Sequence, residues 1–487
     1  MAKNGVDPKE IAADPKRIII ACDGTWDDDN YGMEKKNILP WTKETAKPSS
    51  NVTRICRSIL PFDKEAKKQQ IVYYQAGIGS QHTLKDKLWG GLTGFGISEH
   101  VREAYAFLCH NWVGNDENDP DQSDEIILLG FSRGAFTART IAAMVSDLGL
   151  LTMKGMSYFF PIFKDWENQI VPGYVSPFQE PWPEDKFPDL KEKPNIKDQA
   201  YGDWLQQQGF IKKRNVPIKL VGVWDTVGAL GIPSIGFIPH HPALEYTFVD
   251  TMVAPNVQHA FQALALDEHR LPFTPTIWET PSGRTDLDLR QCWFPGVHAN
   301  IGGGYEDTMV PDLTLAWMIS RMIDADIIGK DGFDLQYIKW LWQRNKDYYV
   351  TKKKTLDWGL GRIDESFTPE FVLTHSRPRT PGQYWETDPK TGQPTNVPCQ
   401  GTNEHMHASV RIRKGKPGRG LDDHGVYDPS ALRGWTCTGV NEKNVKWVLP
   451  GHDKKTMEED KLLPLELDLM KFISPTVYDD LWTIQGS

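Results

Sequence analysis

The segment DEIILLGFSRGAFTART, residues 124 to 140, constrains the fold of this chain more than any other. Its apolar run, Ile126 to Leu129, is strand-sized and ends in Gly130, Phe131, Ser132, Arg133 and Gly134. Ala135, Ala138, Ala142 and Ala143 follow, so the pattern predicts a buried strand, an abrupt turn and a helix. In so sharp a turn the positions two before and two after the serine approach neighbouring backbone too closely for a side chain, and glycine removes the clash. The turn pushes the Ser132 hydroxyl out at the end of the strand, beside a helix N-terminus whose amide dipoles favour negative charge.

A strand that is apolar throughout needs cover on both faces, and the surrounding chain has the elements to supply it. Further strands are predicted over Arg17 to Cys22, Gln70 to Gln75, Ile218 to Trp224 and around Leu289 to Phe294. Between the second and third, Ile97, Val101, Tyr105, Leu108 and Trp112 recur at helical spacing and mark one apolar face. The fold class expected is α/β: a doubly wound, mostly parallel sheet, with ligands gathering at the C-terminal strand edge. Its body spans residues 17 to 330, after a polar N-terminal arm at 1 to 16 and before an appended C-terminal region at 331 to 487. Residues 153 to 215, rich in proline and aromatics, are too long for a crossover loop and are expected to form a cap insertion.

Composition narrows the function classes. The 487 residues are 39% hydrophobic and 25% charged, enough for a large core and unlike a disordered chain. Lys+Arg number 55 against 65 Asp+Glu, a formal net charge of -10 with the basic residues scattered, so no nucleic-acid partner is expected. No apolar run reaches the ~20 residues of a membrane helix and the N-terminus has no apolar signal core. A cytoplasmic protein with no transmembrane segment is expected, peripheral membrane contact being compatible with it. The six cysteines are widely spaced without C-x-x-C, which suits free thiols. His405 and His407, with Asp422, Asp423 and His424, match no metal-site spacing, and no phosphate-binding glycine motif is present. Neither a metal nor an organic cofactor is expected.

A serine nucleophile needs a base, and the base an orienting acid. His298, in CWFPGVHANIGGGY, follows the last predicted strand in a glycine-rich loop that can carry an imidazole over the strand ends. His259 and His269 read as lying on a helix and at its end, and His240 and His241 lie in a proline-rich loop, so His298 is the expected base. Asp225 ends the strand KLVGVWD at the same sheet edge as Ser132 and is the expected acid; Asp267 competes but reads as closing a helix. The oxyanion would be met by the amide of Arg133 and by Gly24 or Thr25, in the loop after the first strand, with Asp23 buttressing that loop. Phe159 and Phe160 in the insertion, with Phe237 and Ile238 in the apolar loop at 231 to 246, are expected to line an acyl-binding cleft.

Four ordered motifs carry a resemblance: C-D-G-T-W at 22 to 26, G-F-S-R-G-A-F-T-A-R at 130 to 139, V-W-D-T-V at 223 to 227 and W-F-P-G-V-H-x-x-I-G-G-G-Y at 293 to 305. Together they resemble the α/β-hydrolase family called domain of unknown function 2235, which includes bacterial type VI secretion phospholipase effectors and many fungal proteins. The resemblance implies an α/β-hydrolase-like fold, a catalytic triad of Ser132, Asp225 and His298, and hydrolysis of lipid or other carboxylic esters. Asn300 stands where the family often has an acidic residue, and it retains the hydrogen bonding to shape the loop. The expected function is a serine esterase or lipase acting on an ester or lipid substrate, possible phospholipase activity included. A non-catalytic scaffold on the same fold, or an acyltransferase or thioesterase, are the alternatives, and no protein partner is specified.

Overall fold

The computed structural model describes residues 15–24, 33–34, 45–46, 48–77, 95–114, 123–168, 174–178, 196, 199–227, 251–366, 376–387, 394–439, 445–451 and 455–478. Third from one edge of the main sheet lies β1 (Lys16–Cys22), whose Ile18, Ile19, Ile20 and Ala21 are all buried because successive side chains point to opposite, covered faces. β2 (Lys68–Gln75) pairs with β1 in parallel on one side and β3 (Glu125–Phe131) on the other. The parallel ladder continues from β3 through β4 (Ile218–Trp224), β5 (Val257–Ala265) and β6 (Asp288–Phe294) to β7 (Glu404–Met406). Beyond it come β8 (Thr436–Thr438), β9 (Lys446–Leu449) and β10 (Lys455–Glu459), with β10 parallel to β7 and the other two continuing antiparallel. With a two-residue edge strand, Phe62–Asp63, beside β2, the sheet has eleven strands.

Helices cover both faces. α1 (Asn51–Ser58) packs on one, and α2 (Phe95–Asn111) and α3 (Arg133–Leu148) pack on the other. After β6 a single turn, α4 (His298–Gly302), leads to α5 (Met309–Asp324), which joins α6 (Leu335–Thr351) and α7 (Pro464–Ile473) on the α1 face. The alternation along β3 divides the core: Ile126 and Leu128 pack with Val101, Tyr105 and Leu108, whereas Ile127, Leu129 and Phe131 pack with Val52, Ile301 and Trp317. The chain leaves β1 for β2 and then crosses back to β3, so the strand order reverses between β1 and β3. A crevice opens at the C-terminal ends of two such strands, and Ser132 stands directly past one of them.

Two sequence readings change. The stretch around HAFQALA, expected as a helix, is β5, bonded on both sides to β4 and β6. Its alanines, leucine and glutamine favour a helix locally, but a slot between two buried parallel strands satisfies every backbone group only for a strand. Likewise, His259 lies on β5, and Asp267 follows a strand rather than a helix. The appended C-terminal region adds β7 to β10 to the same sheet.

Candidate active site

Ser132 connects β3 to α3 with φ 58° and ψ −122°, a conformation side chains rarely adopt, and its amide donates to the Trp224 carbonyl at the end of β4. The flanking glycines are dictated by contact. A Cβ on Gly130 would lie 2.6 Å from Ala135 Cα, and one on Gly134 would lie 2.1 Å from the Cys22 carbonyl oxygen. α3 can therefore start against the end of β1 only if residue 134 has no side chain.

Asp225 follows β4, is fully buried and also has a positive φ, 41°. Its Oδ2 accepts from His298 Nδ1 at 2.6 Å and from an Arg379 nitrogen at 3.0 Å. Its Oδ1 accepts from the Ala265 amide at 3.0 Å and from the second Arg379 nitrogen at 3.2 Å. Burial alone would raise the carboxyl, but the Arg379 charge, then the His298 hydrogen bond and the Ala265 amide, outweigh it and hold the acid down at about 2. An ionised carboxylate only accepts, so the Nδ1 of a neutral His298 carries the hydrogen and Nε2 presents a lone pair.

His298 opens α4, and its imidazole packs against two rings. Phe131, the residue before Ser132, stacks on it with centroids 4.7 Å apart, and Phe273 meets it edge-on at 4.9 Å. Room for Phe131 comes from Gly302, where a Cβ would fall 2.1 Å from that ring. The loop before α4 is pinned from several sides. The Gly296 amide donates to Asp267 Oδ2 at 2.6 Å, the Val297 amide to Asn300 Oδ1 at 3.1 Å, and the His298 amide to Glu268 Oε2 at 3.3 Å. Asn300 thus shapes the loop, as its chemistry allows. Asp267 also accepts from the Tyr427 hydroxyl at 2.8 Å, and burial raises its carboxyl. It holds the loop and is not the partner of His298.

The other expected residues fall out differently. Arg133 is the first residue of α3, where backbone amides lie beyond the reach of intrahelical acceptors, and burial lowers its guanidinium to about 10. The Gly24 amide, an expected oxyanion donor, donates to Asp23 Oδ1 at 2.7 Å. Asp23 does buttress its loop, since its Oδ2 also accepts from Ser50, Thr53 and Tyr74. Thr25, Phe237, Ile238 and the whole 231 to 246 loop lie outside the described residues. Phe159 is buried and stacks on Phe163, with its ring 6.0 Å from Tyr105 of α2, so it packs the insertion onto the body. Phe160 is exposed, with Arg102 over its ring. No group of three or more potential metal ligands occurs among the described residues, and no helix there is long and apolar enough to cross a membrane.

Sequence reasoning missed Arg379. It stands 154 residues after Asp225, in a charged, proline-rich tract with no periodicity to place it, and nothing local distinguishes it from the chain's other arginines.

The model of the type VI secretion system phospholipase effector Tle1-like catalytic domain matches residues 16–321. The chain belongs to that family. That family is one of phospholipase effector catalytic domains. An uncharacterised Saccharomyces cerevisiae protein, YEL023C, is 25% identical over 295 residues, which are 55% of this chain and 34% of the yeast protein. The chain thus spans about a third of the length of that curated relative. Among solved structures, the Tle1 effector bound to the VgrG spike from the type 6 secretion system is 15% identical, with a TM-score of 0.34 over 80% of this chain and 91% of that one. An uncharacterised protein from Pseudomonas aeruginosa is 16% identical, with a TM-score of 0.30 over 64% and 46%. The family match ends at residue 321, so Arg379 lies beyond it.

Proposed function

We propose that the protein is a serine hydrolase of carboxylic esters, with lipid or other apolar acyl esters as substrates, working through Ser132, His298 and Asp225 and a covalent acyl-enzyme. The observation that carries this reading is the 2.6 Å Asp225–His298 pair at the sheet edge where Ser132 is held at positive φ. In the first step Ser132 Oγ bonds to the substrate carbonyl carbon while its proton passes to His298 Nε2. The imidazolium keeps its Nδ1 hydrogen bond to Asp225, and the oxyanion meets the amide of Arg133 at the start of α3. Collapse breaks the bond to the leaving alkoxide, which takes the proton from Nε2. Water then repeats the sequence on the acyl group, with His298 as base, and releases the acid and the free serine. No step requires a metal or an organic cofactor. The rings of Phe131 and Phe273 against His298, and the exposed Leu271 nearby in sequence, favour an apolar acyl group over a charged or sugar substrate.

The test is labelling by a fluorophosphonate probe, together with turnover of p-nitrophenyl esters of graded chain length and of phospholipid vesicles. Wild type should label and turn over esters, and Ser132→Ala should do neither while remaining folded. A folded Ser132→Ala protein with near wild-type turnover would overturn the proposal, and an unlabelled, inactive wild type would favour a scaffold role. Product formation with an added alcohol acceptor separates hydrolysis from acyl transfer.

A further inference from the structure

We infer that Arg379 is a positioning residue for the active site, so that the C-terminal region, outside the family match, supplies a working part of the catalytic apparatus. This inference rests on the triad reading above. Arg379 is buried, and its two terminal nitrogens straddle the Asp225 carboxylate, one to each oxygen at 3.2 and 3.0 Å. One of them also donates to the Phe273 carbonyl at 2.6 Å. A planar fork closed on both oxygens fixes the carboxylate in rotation as well as position, which a single hydrogen bond or a point charge does not. Because Oδ2 also accepts from His298, fixing that plane fixes the direction in which the imidazole is held. The bond to Phe273 adds a second route, since that ring also packs edge-on against His298.

The segment that carries Arg379 is itself secured. Its Arg377 amide donates to the His269 carbonyl at 2.7 Å, and the Ser376 hydroxyl lies 2.8 Å from His269 Nδ1. The Thr380 amide donates to the Tyr384 hydroxyl, and the Gly382 amide donates to Glu404 of β7 at 2.9 Å. This segment therefore spans from the loop after β5 to the seventh strand and lays one guanidinium across the acid.

Among the described residues, the charged and titratable groups around this centre include Asp225 and Arg379 themselves, His298 on α4, Glu268 with its partner Arg270 after β5, and Tyr384 beyond Arg379. Glu268 is bonded to the His298 amide and paired with Arg270, so its charge is offset. Replacing Arg379 by a neutral side chain removes the cation that stabilises the buried Asp225 carboxylate. The Asp225–His298 pair, which titrates as a unit, then takes up its proton more readily, and the acid limb of the rate profile moves to higher pH.

The experiment measures kcat and KM across pH for p-nitrophenyl esters, with the fluorophosphonate labelling rate as a second readout, in wild type, Arg379→Met and Arg379→Lys. Arg379→Met should lower kcat ~10 to 100-fold near neutrality with little change in KM, and shift the acid limb upward by about one pH unit. Arg379→Lys, which keeps the charge and loses the fork, should lower kcat by about tenfold with the limb nearly unmoved. In an Asp225→Asn background, Arg379→Met should cost little more, because residues acting as one unit are not additive. A folded Arg379→Met enzyme with wild-type kcat and an unshifted limb overturns the inference. If that variant does not fold, wild-type turnover by Arg379→Lys overturns it and a tenfold loss with an unmoved limb supports it. Ser132→Ala separates the two readings: if it stays active the triad proposal fails, whereas if it is dead and the Arg379 variants are normal only this inference fails.

Discussion

The loops that follow two neighbouring strands, β4 and β5, each bury an aspartate, and the two carboxyls behave in opposite ways. Asp225, after β4, faces a guanidinium, an imidazole and an amide and is held down at about 2. Asp267, after β5, accepts from the Gly296 amide and the Tyr427 hydroxyl, and burial raises it. Burial pushes both upward; direct contact with a cation decides which is held below the usual carboxylate range. A catalytic acid has to keep its charge to stabilise an imidazolium, whereas a carboxyl that holds a loop needs only acceptor oxygens. Depth in the structure therefore does not distinguish the two, and partners do.

The comparison breaks first at activity. Asp225→Asn should reduce ester turnover by ~10⁴ because the amide cannot stabilise the imidazolium or enforce its tautomer. It should also cost about 3 kcal/mol of stability by leaving Arg379 buried without its counter-charge, read by chemical denaturation. Equal losses of turnover in Asp267→Asn would reassign the acid.

Acid titration of stability gives the second contrast, with opposite signs. The folded carboxyl of Asp225 lies below its unfolded value of 3.8, so its stabilising contribution is present above about pH 4 and is lost as pH falls toward about 2. The folded carboxyl of Asp267 lies above 3.8, so its contribution is fully present below that value and is lost as pH rises through the folded value. Denaturation midpoints followed from pH 6 to pH 3 should therefore fall less steeply for Asp225→Asn than for wild type, and more steeply for Asp267→Asn.

Smaller effects are expected around the loop. Asp267→Asn, with its amide oxygen in the place of Oδ2, keeps an acceptor for both donors and should change turnover only a few-fold. Tyr427→Phe removes one hydrogen bond to a buried acceptor and should cost about 1 kcal/mol, with turnover within about twofold of wild type. A drop of tenfold or more in kcat for Tyr427→Phe would show that the Gly296 loop tunes His298 and does not merely carry it.

Much of this was readable in the chain because it is local. The Ser132 turn declares itself through Gly130 and Gly134, whose absent side chains make room for Ala135 and for the end of β1. Asp225 and His298 follow recognisable strands and so come to the same sheet edge, and the structure joins them at 2.6 Å. Elsewhere the local pattern misled. β5 carries residues of high helix propensity but lies where only a strand completes both ladders. Phe159 is one aromatic among many in the insertion, and the turn that faces it toward Tyr105 is set by packing with α2.

What the sequence alone determined is the part of the fold written in short-range sterics and period: the strand, turn and helix around Ser132, the buried strands beside it, and the order in which serine, acid and histidine arrive at one edge. What only the tertiary structure decided is which charges meet there. The approach of Arg379 to Asp225 depends on a segment laid from the loop after β5 to β7, and the Gly24 amide and Asp267 are assigned by hydrogen bonds made across the fold. Such contacts leave no periodic trace, because a guanidinium reaches its carboxylate through the path of the whole chain and not through the residues beside it.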